Sequence, residues 1–239
     1  MKLETALDEF ETAQRRKLRG EEGRPAALAL DALREFLLEQ AGREETGQLT
    51  TEDLRAFVLE HYPSQEEPEG EVALLLLRTT RQFAEWLLER GERSPAQFLA
   101  GAERLERELP RVMEALAVLR EHTAQTRFGG AVEVAAGEEE EAPTAAMTAG
   151  VDRVVELDRI DYAAAQLDYF TVERVSPGAL ALRSSSRELL AEGLAEPVAV
   201  PEQAAELLRA EDIIYAEIAP VPDGWEMLEV FGVRPGGFA

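Results

Sequence analysis

Ile213-Ile214-Tyr215-Ala216-Glu217-Ile218, then Pro220-Val221-Pro222-Asp223-Gly224, then Trp225-Glu226-Met227-Leu228-Glu229-Val230-Phe231: this stretch decides the fold class. Asp-Gly supplies the positive backbone angles of a tight turn, and β-branched and aromatic residues lie on both sides of it. The reading is two antiparallel strands joined as a hairpin. Upstream, 167–175 holds Tyr169, Phe170, Thr171 and Val172 and reads as another strand, followed by a Ser176-Pro177-Gly178 turn. Leu180 and Leu182 then alternate with Ala181 and Arg183. A loop with Ser184-Ser185-Ser186 and Gly193 leads to Val198 and Val200, and Pro201 opens a short helix carrying Ala204, Ala205, Leu207 and Leu208. Five strands with one helical insertion predict a small antiparallel barrel-like domain over 151–239. The tail, Pro235-Gly236-Gly237, is expected to fray.

Toward the amino terminus the apolar period changes from two to that of a helix. Leu3, Ala6, Leu7, Phe10 and Leu18 form one stripe, ending near Gly20. Pro25 opens the next, with Ala26, Ala29, Leu30, Leu33, Phe36 and Leu37, which Gly42 closes. Thr50 ahead of Thr51-Glu52-Asp53 is an N-cap with acids in the first turn, and Pro63 is expected to end that helix. Residues 72–90 read as the longest helix, apolar nearly all round in its first half, hence central, with Gly91 as its stop. Ser94-Pro95-Ala96-Gln97 starts a stripe through Phe98, Leu99, Ala102, Leu105 and Leu109; Pro110 is expected to interrupt it before Val112, Leu116 and Leu119. Six helices over 1–128 predict an all-α bundle.

Between the halves, 129–150 contains Gly129-Gly130, four consecutive glutamates from Glu138 to Glu141, and scattered Ala and Thr. Low bulk and high charge predict a flexible acidic linker. The expected class is therefore α+β, an N-terminal helical bundle followed by a small antiparallel β-barrel-like domain.

The chain of 239 residues carries 25 basic and 48 acidic side chains, a formal net charge of −23. Of these, 7 basic and 22 acidic fall in 129–239, a net of −15. Such a surface repels phosphate at long range and favours a basic partner. The one dense basic cluster, Arg15-Arg16-Lys17 with Arg19, reads as a solvated helix end. The absence of Cys excludes disulfides, thiolate metal sites and thiol nucleophiles, and two His exclude a histidine-rich metal centre. The longest apolar run, 72–77, is far too short to span a bilayer, and no basic-then-apolar leader opens the chain, so a soluble cytoplasmic protein is expected.

Thr51-Glu52-Asp53-Leu54 with Phe57, then Leu77-Arg78 with Phe83, Trp86, Leu87 and Gly91, resembles the helical core-binding (SAM-like) module of tyrosine recombinases, as also found in bacterial proteins built on that plan; the likeness covers at most 26–125. It implies a DNA-clamping scaffold. The Arg, His and Tyr constellation of the recombinase catalytic half has no counterpart, and neither His61 nor His122 is followed by Arg two residues later. The C-terminal part looks similar to small SH3-like barrel modules.

Few residues point to chemistry. His61 falls on the face of Phe57 and Val58 and reads as a half-buried helix-end histidine, with general base as the alternative. His122 reads as a favourable cation near the end of the last helix. Ser184 to Ser186 lack the glycine-flanked elbow of a nucleophilic serine. Asp152, Glu156, Asp158 and Asp161 offer oxygen ligands for a hard cation but not the spacing of a calcium loop. No phosphate-binding or dinucleotide glycine motif occurs. Trp225 is the one candidate binding residue, an exposed aromatic beside Asp-Gly, against the plainer reading of a core Trp at one end of the barrel; Trp86 reads as core. The expectation is a non-enzymatic interaction or regulatory protein without cofactor or metal, binding another, basic protein through the barrel or a bundle groove. A nucleic-acid-associated protein without recombinase activity is the alternative.

Overall fold

A computed structural model describes residues 1–17, 23–65, 69–93, 95–132, 160–185, 194 and 196–237. Helices occupy the N-terminal part and a five-stranded sheet the C-terminal part. Two compact units result, one of Met1–Glu114 with Gly232–Ala239 and one of Ala115–Phe231. This division differs from the sequence boundaries at 128 and 150. Residues of the last helix from 115 onward group with the sheet, and the end of the chain groups with the helices. Of the expected linker, 129–132 are helical and 133–150 lie outside the described residues. Among the described residues no helix is long and apolar enough to cross a membrane.

The helical unit contains α1 (Leu3–Lys17), α2 (Gly23–Glu35), α3 (Thr51–Ala56), α4 (Tyr62–Gln65), α5 (Gly70–Glu89) and the first part of α6 (Ala96–Val132). Arg15, Arg16 and Lys17 are the last described residues of α1, and Arg19 lies outside the described residues. Phe10 of α1 packs on Phe83 and Trp86 of α5, with ring centroids 5.3 and 5.9 Å apart, so Trp86 is a core residue as expected. Thr50 caps α3 by a reciprocal pair of bonds: its Oγ1 accepts from Asp53 N at 3.1 Å, and its own N–H donates to Asp53 Oδ2 at 2.8 Å. Gly91, φ +88°, ends α5 in the left-handed conformation that lets the chain turn off a helix.

Three expectations for this unit need correction. Pro110 does not interrupt the last helix, which runs unbroken for 37 residues. Phe98, Ala102, Leu105, Leu109, Val112, Leu116 and Leu119 keep three- and four-residue spacing straight across the proline, and all are buried. Burying one such Leu is worth about 1.5–3 kcal/mol, so several together outweigh the roughly 3 kcal/mol that an interior proline costs. Pro63 does not end its helix either. A π turn, Phe57–His61, follows α3 directly, and α4, which carries Pro63, continues from it without a break. The tail does not fray at Pro235, which is buried, or at Gly236, whose carbonyl accepts a 2.7 Å bond from Arg104 Nη2. Arg234 also donates to the Glu60 carboxylate within the same unit.

The second unit holds the rest of α6, a 3-10 turn (Tyr162–Ala164), β1 (Gln166–Ser176), β2 (Ala179–Ser184), β3 (Val198–Ala199), α7 (Glu202–Leu207), β4 (Ile213–Val221) and β5 (Gly224–Arg234), whose last residues group with the helical unit. The strands hydrogen-bond in the order β1-β2-β3-β5-β4, and β4 also pairs with β1. β1 is antiparallel to both β2 and β4, placing Phe170 opposite Ser184 on one side and Ile214 on the other. The sheet is not wholly antiparallel as expected, because β3 meets β5 in a parallel bridge, Val198 to Trp225. The expected hairpin is present. Gly224 stands at φ +147°, and a Cβ there would lie 3.0 Å from Pro197 O, so both the angle and the space require glycine. Phe170, Val172, Leu180, Leu182, Ile214, Ala216 and Ile218 are buried, in alternation along their strands.

Candidate interaction face and a buried dyad

Strand alternation puts Phe170 and Val172 of β1 on the core side, so Leu167, Tyr169 and Thr171 occupy the opposite face. On β4 the buried Ile214, Ala216 and Ile218 leave Ile213, Tyr215 and Glu217 on that same opposite face. Register aligns the two sets row by row: Leu167 with Glu217, Tyr169 with Tyr215, Thr171 with Ile213. The tyrosine rings stack with centroids 4.4 Å apart, and the ring of Phe231 on β5 lies 5.1 Å from Tyr215. All three rings are half-buried, while Leu167 is 53% exposed. The result is a strip of apolar and aromatic side chains over β1 and β4, reaching Phe231, that the core does not use.

Beneath the strip, Asp168 closes the end of the core side. Its carboxylate accepts from Ser184 Oγ, from Ser185 Oγ at 3.0 Å and from Tyr169 N at 2.7 Å. Ser184 and Ser185 thus hold a carboxylate in place, while Ser186 lies outside the described residues.

On the second part of α6, His122 comes to 3.6 Å from Glu226 of β5, Nε2 to Oε1. Both atoms are buried without a hydrogen-bond partner, and Glu226 is only 2% exposed. His122 therefore does not sit at a helix end, as expected from the sequence. Its helix runs on to Val132, ten residues further. Imidazole and carboxylate are two members of a nucleophilic triad. The hydroxyls nearest in sequence, Thr123 and Thr126, instead donate to the carbonyls of Arg120 and His122.

His61 lies half-buried in the π turn, its ring 4.9 Å from Phe36 and 6.1 Å from Phe57. Burial holds its imidazole below the ordinary value, against the opposing pull of the Glu35 charge. The arrangement is that of a packed histidine, and the two histidines are on α6 and on the π turn of different units. Trp225 is half-buried on β5, bridged to Val198, and belongs to neither the stacked strip nor the dyad's contact. Of the four proposed cation ligands, Asp152, Glu156 and Asp158 lie outside the described residues, as do Glu138 to Glu141. Asp161 accepts from Ala163 N at 3.1 Å and so caps a 3-10 turn.

The sequence reading missed both features. Alternation of Leu167, Tyr169 and Thr171 against Phe170 and Val172 was the available signal for the strip. A glutamate inside the apolar run Trp225 to Val230 was the signal for the dyad. In comparisons with protein-family models, with curated proteins and with solved structures, the chain matches none.

Proposed function

We propose that the protein is a non-catalytic interaction or regulatory protein that binds another protein through its sheet unit, at the strip formed by Leu167, Tyr169, Ile213, Tyr215 and Phe231. The stacked Tyr169–Tyr215 pair on the face opposite the core carries this reading. Aromatic side chains are enriched at interface centres, where large rigid area is gained at small entropic cost. The ring-like strand order supports a small, SH3-like barrel as the scaffold, with a single parallel bridge between β3 and β5. A bundle groove is the weaker site: the cleft of about 550 Å³ beside α3 is lined by polar groups such as Thr50, Thr51 and Gln97, with Leu49 as its one aliphatic member. The nucleic-acid alternative has little to work with, because Arg34, Arg43, Arg78, Arg81, Arg90 and Arg111 each lie within 4.0 Å of a carboxylate.

A photo-crosslinking side chain at position 167, with one at exposed Leu88 as control, tests the reading in the organism's own extract. Crosslinks to one discrete polypeptide from 167 and not from 88 are expected. Equal labelling from both positions, or crosslinks to nucleic acid, would overturn it.

A further inference from the structure

Resting on that reading of the strip, we infer that its occupant is a basic peptide segment, rich in Arg or Lys and carrying apolar side chains at alternate positions. Charge complementarity selects it. Residues 115–231 hold 8 Arg against 23 Asp and Glu, and two arginines near the strip are already engaged. Arg183, in the row of Thr171, is 2.9 Å from Glu173, and Arg120 spends its Nε and Nη2 on the carbonyls of Val230 and Phe231, each at 3.0 Å. In the register of the strip Glu217 stands opposite the exposed Leu167, so this row carries an acidic and not a basic residue. A partner of like charge is repelled from this unit, and a cationic one is drawn to it before contact. The same charge argues against bases stacking on the tyrosines, because their phosphates would come with them. Spacing supplies the second constraint. Leu167, Tyr169 and Thr171 repeat every second residue of an extended strand, close to 6.8 Å, so a partner in extended form with apolar groups at alternate positions meets them in step.

The test uses the full chain and three short fluorescent peptides in which Leu alternates with Arg, with Gln or with Glu, followed by anisotropy at low and at high salt. The Arg peptide is expected to bind at least about tenfold more tightly than the Gln peptide, with the difference shrinking as salt is added. Tyr215→Ser is expected to weaken the Arg peptide by about tenfold or more. Leu167→Ser, at a position exposed enough to leave folding intact, is expected to weaken it several-fold. Equal binding of the Arg and Gln peptides, lost in both variants, would overturn the basic occupant while leaving the strip as a binding face. Arg-peptide binding unchanged in both variants, or no binding of any peptide, would overturn the inference, and the crosslinks from position 167 would then decide separately whether the strip binds a protein at all.

Discussion

Asp53 and Glu226 are both buried carboxylates, one in each unit, and their surroundings differ in kind. Asp53 takes two bonds from Arg43, at 2.9 and 3.1 Å, and one from the Thr50 N–H, so its charge is met on every side. Burial works to raise its pKa, but the Arg43 guanidinium and the Thr50 bonds prevail and hold the carboxyl below its ordinary value. Among the described residues Glu226 Oε1 receives no hydrogen bond, and His122 Nε2 stands 3.6 Å from it, beyond hydrogen-bond reach. The helical unit uses a buried, hydrogen-bonded carboxylate to fix a helix start, whereas the sheet unit buries one whose Oε1 meets no hydrogen-bond donor among the described residues. A structure that retains such an acceptor marks the place where local rules yield to another constraint.

The largest effect that sharpens this contrast is expected from removing the His122–Glu226 pair. The double variant His122→Leu with Glu226→Leu is expected to stabilise the sheet unit by about 1–4 kcal/mol in chemical denaturation, as replacement of buried ionic groups by apolar ones often does. A loss of stability instead would show that the pair holds α6 against β5. Next comes Arg43→Gln, expected to cost about 1–3 kcal/mol by leaving Asp53 partly unpaired. The pH dependence follows in sign. With the folded pKa of Asp53 depressed, its contribution is full above the unfolded value and is lost as pH falls through the folded one. Thermal unfolding across the acid range should therefore fall less steeply in Arg43→Gln than in the parent, and parallel curves would contradict the assignment. The smallest effect belongs to Arg34→Ala, whose partners in the helical unit are the exposed Asp8 and the half-buried Glu11. About 0.2–1 kcal/mol, mostly erased by salt, is expected; a cost as large as that of Arg43→Gln would collapse the distinction between buried and surface pairs.

What the sequence made legible was local. Thr50 with Asp53, Gly91 and Pro222-Asp223-Gly224 act within a few residues, and each ends or starts an element where its chemistry requires. The change from a helical to a two-residue apolar period gave the α+β class for the same reason. Pro110 misled because its backbone penalty is visible in one residue, while the burial that outweighs it is spread over seven positions of α6. Tyr169 and Tyr215 become a pair only through the β1–β4 register, and His122 meets Glu226 across more than a hundred residues, so neither could be read locally. Trp225 drew attention by being a tryptophan beside a turn, a property that says nothing about which neighbours a strand finds.

The return of the last residues to the first unit has a consequence for biosynthesis. Glu60 and Arg104 receive their partners, Arg234 and the Gly236 carbonyl, only after 232–237 have left the ribosome. The helical body, though translated first, is therefore the last to be completed, because Glu60 and Arg104 wait while the whole sheet emerges.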